Sequence, residues 1–165
     1  MIIIGDGSRI YPTAKIVEEG REIIIGRNCF IGDFAFVAAR KLVMEDGSQI
    51  NPHAIISGGG EVYLGKFSVI GFNAVLIPAT DSPAAKYMCE SKPEEERQII
   101  RGSIRIGEGA YIGSGAVICV SKKSPNIEIG DYAVIGALSY IDKSIPPNTI
   151  VHPLIKYQTK IRRIA

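Results

Sequence analysis

The sequence predicts a parallel β-helix, because aliphatic residues, many of them followed by Gly, recur every six positions along most of the chain. Clear examples are the steps from Ile25-Gly26 to Ile31-Gly32 and from Ile106 to Ile112. A period of six matches neither an amphipathic helix, whose period is about 3.6 residues, nor an isolated alternating strand. It matches a coil of flat sides that each turn one aliphatic side chain inward, with Gly at tight corners.

Grouping these six-residue steps in threes predicts about six turns of a triangular prism. Steps within a turn are six residues long, apart from one step of seven between Val43 and Ile50, and surplus residues bulge at one corner between turns. A single turn cannot bury its own core, so the stacking of turns provides the stability. The predicted turns begin near Ile4, Ile25, Val43, Leu64, Ile106 and Ile129.

The chain, residues 1–165, is predicted to be one domain with two departures from the repeat. The segment 79–102 is polar and carries the charged run 92–97. Long loops inside compact domains are usually functional or disordered, and a rigid scaffold favours a binding loop here. The segment 144–165 breaks the repeat and ends in basic residues, and we expect it to cap the exposed last turn.

Composition excludes several classes of protein. The net charge of +2 gives no electrostatic argument for nucleic acid, and no apolar run reaches the length of a membrane span. The opening residues are too few for a signal peptide. The three cysteines, Cys29, Cys89 and Cys119, lack CxxC spacing, and neither His is next to a Cys. We therefore expect reduced thiols in a cytoplasmic protein, with no disulfide framework and no metal.

Two stretches near the end of the repeat resemble the hexapeptide-repeat acyltransferases. They are 110–117 (Ala-Tyr-Ile-Gly-Ser-Gly-Ala-Val) and 129–137 (Ile-Gly-Asp-Tyr-Ala-Val-Ile-Gly-Ala), with Tyr111 where the family usually has Trp. The resemblance extends over roughly residues 25–156. The long loop most resembles that of the sugar O-acetyltransferases of surface polysaccharide synthesis in bacteria and archaea.

This resemblance implies a left-handed β-helix, a homotrimer, acetyl-CoA as the donor and a sugar or sugar nucleotide as the acceptor. The handedness comes from the resemblance alone, since the general rule for parallel crossovers favours the right-handed form. An exposed apolar face of a prism independently favours closed symmetric association.

Acetyl transfer from a thioester needs a base for the acceptor, a donor to the developing oxyanion, and positioning. The base is usually His, which many relatives carry at the start of the long loop, whereas 79–82 here reads Ala-Thr-Asp-Ser. His53 is the first candidate to replace it, in an outward position at the same phase of the repeat as Asn73. Asp81 from the loop of a neighbouring subunit would orient it. The alternative is a surface or interface His with a structural role.

Asp81 has two further interpretations. A buried carboxylate is a stronger base than an exposed one, so Asp81 is itself a candidate base. It is equally a candidate for an Asx-turn residue that begins the loop. His152 precedes Pro153 where relatives have a loop along the CoA, which favours cofactor contact or capping over the role of base. The resemblance assigns CoA contacts to Gly113, Ser114, Ala133, Ala137, His152 and Lys156.

Three other functions remain as alternatives to O-acetyl transfer. A sugar N-acetyltransferase is the runner-up for the reaction. A γ-type carbonic anhydrase needs three zinc-bound His, and this chain has two His in total. A non-catalytic β-helix for assembly or binding, or an inactive acyltransferase relative, is supported by the missing loop His. It is opposed by the retained long loop and the final-turn motif.

Overall fold

The structure, a computed structural model, describes residues 1–153 and confirms the predicted prism. Three parallel sheets form its sides, and within each of the first six turns the three strands lie in successive sheets. With strands numbered in chain order, the first sheet contains β1 (Ile2–Ile4), β4 (Glu22–Ile25), β7 (Lys41–Met44), β10 (Glu61–Leu64), β15 (Ser103–Ile106) and β18 (Asn126–Ile129). The second contains β2 (Arg9–Ile10), β5 (Phe30–Ile31), β8 (Gln49–Ile50), β11 (Val69–Ile70), β16 (Tyr111–Ile112), β19 (Val134–Ile135) and β21 (Ile150–Val151). The third contains β3 (Lys15–Ile16), β6 (Phe36–Val37), β9 (Ile55–Ile56), β12 (Val75–Ile77), β17 (Val117–Cys119) and β20 (Tyr140–Ile141).

Each turn stacks in register on the next, so that aliphatic side chains form continuous columns inside the prism. Ile70 pairs with Ile50 below it and with Ile112 above it, and all three side chains are fully buried. Neighbouring residues of the same strands point outward, as the alternation of a strand requires. One aliphatic residue per side therefore accounts for the six-residue period.

The third turn differs from the prediction in its register. Met44, not Val43, points into the core: Met44 pairs with Leu64 and is 1% exposed, whereas Val43 faces outward beside Tyr63. The step from Met44 to Ile50 is therefore the ordinary six residues, and the predicted step of seven between Val43 and Ile50 is wrong. Three consecutive apolar residues, Leu42 to Met44, hid the alternation in the sequence.

The predicted break after residue 143 is also wrong, because the prism continues into part of a seventh turn. Ile145 is buried and forms a parallel bridge with Ile129. β21 then extends the second sheet by pairing with β19. Residues 154–165, which hold the rest of the predicted cap, lie outside the described residues.

The segment 79–102 leaves the prism between the fourth and fifth turns and returns at the same corner. Its neck is a pair of antiparallel strands, β13 (Ala79–Thr80) and β14 (Ile100–Arg101), and a short helix, α1 (Glu94–Arg97), precedes the return. The corner between the third and first sheets therefore carries a large folded loop, as the sequence predicted for a loop built on a rigid scaffold. We call this segment, residues 79–102, the excursion.

Gly102, at this return, tests how tightly the turns are stacked. A Cβ there would lie 1.6 Å from the carbonyl oxygen of Pro125 and 2.6 Å from its carbonyl carbon. We expect Gly102→Ala to lower the free energy of unfolding by about 1–3 kcal/mol, the usual cost of overpacking. Urea unfolding measures this, with Ser103→Ala as the matched control. Equal midpoints for the two variants would contradict the close stacking.

Candidate active site

The three outer faces of the prism differ in character. The face of the first sheet is charged: Lys41 and Glu22 form an ion pair of 3.2 Å, and the Arg105 guanidinium lies 3.9 Å above the Tyr63 ring. The other two faces are mainly apolar, apart from Arg9, Gln49 and Lys15 in the early turns. The outward apolar residues of the second sheet are Phe30, Val69, Tyr111, Val134 and Ile150. Those of the third sheet are Phe36, Ile55, Val75, Val117 and Tyr140.

We call the corners by the sheets that they join: the first corner joins the first and second sheets, the second corner the second and third, and the third corner the third and first. The second corner consists of residues 11–14, 32–35, 51–54, 71–74, 113–116 and 136–139, and continues at 152. It exposes the apolar side chains of Phe34, Phe72 and Leu138. The apolar surface therefore runs continuously from one apolar face to the other around this corner.

His53 lies on the second corner, in the third turn. It has a left-handed backbone with a φ of 61°, as do Phe34 one turn below and Asn73 one turn above. The imidazole stacks on the Phe34 ring, with centroids 5.1 Å apart and an interplanar angle of 23°. The sequence correctly placed His53 outward and in phase with Asn73, and the structure adds an aromatic support that orients its ring.

Four of the residues assigned to CoA lie on the same corner as His53. They are Gly113 and Ser114 in the fifth turn, Ala137 in the sixth and His152 in the seventh. Turns are separated by about 4.8 Å, so His53 and Ala137 are roughly 15 Å apart along the prism axis. This corner therefore offers a linear track suited to a long, extended ligand.

The second corner has open backbone hydrogen-bond donors at places where the first corner has donors that are capped by carboxylates. On the first corner, the N–H groups of Arg27 and Glu108 donate to the carboxylates of Asp46 and Asp131, each at 2.8 Å. At the matching place on the second corner, no acceptor within residues 1–153 receives the N–H of Ser114 or Ala137. Exposed backbone donors are ready to bind the carbonyl or amide groups of a ligand.

Two other residues assigned to CoA do not join this track. Ala133 lies on the first corner with its side chain fully buried, its N–H donates to Gly130, and its carbonyl accepts from Tyr111. The structure therefore separates Ala133 from Ser114 and Ala137. Lys156 lies outside the described residues.

Asp81 lies at the opposite edge of the third sheet from His53 within one chain. It forms an ion pair with Arg97, in which the guanidinium donates to Oδ1 from Nε at 3.1 Å and from Nη2 at 2.9 Å. Both side chains are largely buried, with 12% of Asp81 and 15% of Arg97 exposed. The pair ties the start of the excursion to the C-terminal end of α1, because Arg97 also accepts a backbone hydrogen bond from Ser82.

The excursion folds down along the third corner and encloses a cleft of about 600 Å³ against the first three turns. Its lining is rich in charge, with three arginines and three acidic residues, over an apolar floor that includes Phe36. Arg101 donates a hydrogen bond of 2.6 Å to Glu94, which lowers the pKa of Glu94 and raises that of Arg101. The charged residues of the lining are Arg21, Asp81, Glu90, Glu94, Arg97 and Arg101.

Arg21 and Phe36 could not be identified as lining residues from the sequence. Both belong to the first two turns, 58 and 43 residues before the start of the excursion at residue 79, and only its downward fold brings them together. The open donors of the second corner have a signal in the sequence. Asp46 and Asp131 stand one turn above Arg27 and Glu108, whereas Ala137 and Pro153 stand at the matching place above Ser114 and Ala137.

Two findings bear on metals and membranes. No cluster of three or more His, Cys, Asp or Glu side chains that would suit a metal ion occurs within residues 1–153. In the same part of the chain, no helix has the length and apolar character needed to cross a bilayer.

The chain has relatives among sugar acyltransferases, although no family model matches it. Galactoside O-acetyltransferase of Escherichia coli strain K12 is 26% identical over 119 residues, which are 64% of this chain and 56% of that protein. The dTDP-4-amino-4,6-dideoxy-D-glucose acyltransferase of Escherichia coli is 26% identical over 131 residues, 78% of this chain and 66% of that protein. The chain thus spans between about half and two thirds of the length of these curated relatives.

The fold is shared with a solved acyltransferase. A single-site variant of AntD, an N-acyltransferase from Bacillus cereus, was solved in complex with dTDP-4-amino-4,6-dideoxyglucose and coenzyme A. It matches this structure with a TM-score of 0.81 over 96% of this chain and 83% of that chain, at 23% identity. The likeness confirms the left-handed parallel β-helix that the sequence resemblance implied.

Proposed function

The chain is a left-handed β-helix related in sequence to sugar acyltransferases of the hexapeptide-repeat type, and from this premise we propose that it transfers an acetyl group from acetyl-CoA to a sugar hydroxyl. One observation carries the proposal: His53, Ser114 and Ala137 share the second corner, between two apolar faces. A base, a row of open backbone donors and an apolar surface are the parts that acyl transfer requires.

The open N–H groups of Ser114 and Ala137 support binding of the extended arm of CoA along the second corner. That arm contains amide carbonyls, which accept hydrogen bonds from backbone donors. Bound there, acetyl-CoA supplies the thioester whose acetyl group is transferred. His152, at the top of the track, is a further contact in the proposal, and Lys156 remains a candidate for the phosphates because ammonium groups bind phosphate. Ala133 is not retained among the contacts.

His53 is proposed as the general base. A neutral imidazole takes a proton near neutral pH, and stacking on Phe34 fixes the plane of the ring. As the acceptor oxygen bonds to the acetyl carbon and the carbon–sulfur bond breaks, His53 holds the hydroxyl proton and returns it to the thiolate that leaves. Asp81 is proposed to hold the excursion through Arg97 rather than to orient His53, because its carboxylate is already paired.

We propose a homotrimer in which the second corner of each prism faces the three-fold axis. Contiguous apolar surface of this extent marks an interaction site, and closed symmetry prevents open-ended assembly. With the second corner at the axis, the second sheet of one subunit would face the third sheet of its neighbour. His53 and the open donors would then lie between subunits, where water is partly excluded.

An amino sugar is a second candidate acceptor, because two similar proteins are described as acting on, or bound to, dTDP-4-amino-4,6-dideoxy sugars. A neutral amine is a better nucleophile than a hydroxyl and demands less of a base, which suits a chain with no His at the start of the excursion. We also propose a cytoplasmic location, since Cys29, Cys89 and Cys119 are all free thiols.

The proposed reaction is tested by incubating the full chain with acetyl-CoA and a panel of neutral sugars, amino sugars and their nucleotide-linked forms. We expect one acceptor class to gain the mass of an acetyl group, with O-acetyl and N-acetyl products distinguished by their lability to mild base. Mass spectrometry is preferable to a thiol reagent because Cys89 is exposed. Absence of any acetylated product, with acetyl-CoA bound, would instead support the non-catalytic alternative.

A further inference from the structure

The cleft under the excursion has one cation that the described protein does not neutralise. Arg97 is paired with Asp81 and Arg101 with Glu94, but no carboxylate within residues 1–153 lies within 4.0 Å of the Arg21 guanidinium. Its Nη1 donates to the carbonyl oxygen of Ala38 at 2.5 Å, and its buried Nε has no acceptor in that part of the chain. A partly buried guanidinium without a counter-ion is costly, so a site that retains one is suited to an anion.

The shape and lining of the cleft fit a carbohydrate. A volume of about 600 Å³ is within the usual range for small-molecule sites. The floor is apolar, with Phe36 and Ala38, while the walls offer the hydroxyl groups of Ser57 and Thr80. Asp81 and Arg97 also line the cleft, and their ion pair fixes this part of the wall by a contact within one chain.

The cleft is separate from the base. Four residues of chain connect His53 to Ser57, and at about 3.3 Å per residue they extend roughly 13 Å across the third sheet. An acceptor that lies in the cleft and also reaches His53 must therefore be longer than one sugar ring. An extended acceptor with its charge remote from the acetylated hydroxyl satisfies both places.

We propose that this cleft binds the anionic part of an extended acceptor, a phosphate or carboxylate group that pairs with Arg21. The role of this ligand as the acceptor rests on the proposed function, but its binding requires no CoA. Glu90 also lines the cleft and is exposed, and its negative charge opposes an anion that does not reach Arg21. A nucleoside diphosphate and an acidic oligosaccharide both supply the required oxyanion.

Binding without CoA tests this directly. Calorimetric titrations of the full chain would use dTDP, digalacturonate and lactose, the last as a neutral disaccharide, at concentrations up to about 10 mM. We expect dTDP or digalacturonate to bind at least about tenfold more tightly than lactose, and the one that binds identifies the source of the anion. Binding of lactose as tightly as both anions, or binding of none of the three, would overturn the proposal.

Variants locate the site. We expect Arg21→Gln to weaken binding of the anion at least about tenfold. Arg21→Lys should weaken it less, because Lys keeps the positive charge and loses only the forked donors of the guanidinium. Arg27→Gln is the matched control, since Arg27 lies on the first corner, paired with Asp46. Wild-type affinity for the anion in a folded Arg21→Gln variant would exclude the cleft as the anion-binding site. If Arg21→Gln does not fold, protection of 79–102 and 57–59 from hydrogen exchange by the bound anion decides, and no protection there excludes the cleft.

Because CoA takes no part in these titrations, the two proposals fail separately. Anion binding without acetyl transfer would support the anion site in the cleft and contradict the proposed reaction. Acetyl transfer to neutral sugars, with no anion binding, would support the reaction and contradict the anion site.

Discussion

Replacing His53 by Asn is expected to reduce acetyl transfer by about 10²–10⁴-fold while acetyl-CoA binding is retained, because the variant loses the base. Asn is the suitable replacement because His53 has a left-handed backbone, which Asn tolerates and which Asn73 already adopts one turn above. Ala at the same place would add backbone strain to the loss of the imidazole. Initial rates and acetyl-CoA titrations on the same preparations measure the two effects.

His152→Asn is the matched control, since it removes the other His of the chain. A contact to CoA predicts a higher KM for acetyl-CoA with little change in kcat, because the contact is made before and during the reaction. Turnover of His53→Asn at the wild-type rate would remove His53 from the role of base. A collapse of kcat in His152→Asn would give that role to His152.

Charge on the second corner is expected to dissociate the proposed trimer. The double variant Phe72→Lys/Leu138→Lys would bring six ammonium groups toward the three-fold axis, where they would be desolvated beside like charges. If the wild type is the proposed trimer, we expect this variant to be a monomer at the same concentration and to lose activity. Light scattering after size-exclusion chromatography measures the mass.

The first corner provides a matched control for this double variant. Phe67 and Tyr132 are 64% and 56% exposed, comparable to Phe72 and Leu138 at 50% and 67%. Phe67→Lys/Tyr132→Lys adds the same charges on the corner that we place away from the axis, so the trimer should remain. Dissociation of the control alone would show that the first corner faces the axis instead.

The fold could be predicted from the sequence because one aliphatic residue per side repeats at a fixed interval. Turns that stack in register allow few other arrangements of the chain. The two errors arose where that signal was locally weak. At Val43, three adjacent apolar residues concealed which one faces inward, and pairing with Leu64 selects Met44. At 144–148, two prolines resembled a break, yet they occupy a corner, where a missing N–H costs little.

The candidate site could be predicted from the sequence only in part, for a different physical reason. Ser114 and Ala137 occupy one phase of the repeat and align because the turns stack, whereas His53 occupies the next phase. That all three share a corner follows from the period once the corners are known. The cleft depends on the path of an excursion with no repeat of its own. Nothing in the sequence relates Arg21 to Arg97, and their approach is a matter of tertiary packing.

Acetyl-CoA is proposed to bind along the second corner through the N–H groups of Ser114 and Ala137. Proline removes an N–H, and the corner already accepts proline at the same place, where Pro52 packs over Gly32. Gly71 and Gly113 offer the same room beneath Ser114 and Ala137. Ser114→Pro/Ala137→Pro should therefore fold normally and bind acetyl-CoA more weakly by about 1–3 kcal/mol, for two hydrogen bonds.

Thermal unfolding with and without acetyl-CoA is the most direct test. A ligand at 100 times its Kd stabilises the native state by about 2.7 kcal/mol, which for a chain of this size raises the Tm by roughly 5–10 °C. We expect a rise of that order for the wild type at millimolar acetyl-CoA, and a much smaller one for Ser114→Pro/Ala137→Pro. An unchanged wild-type Tm, or equal rises for the wild type and the double variant, would contradict binding of acetyl-CoA at these two N–H groups.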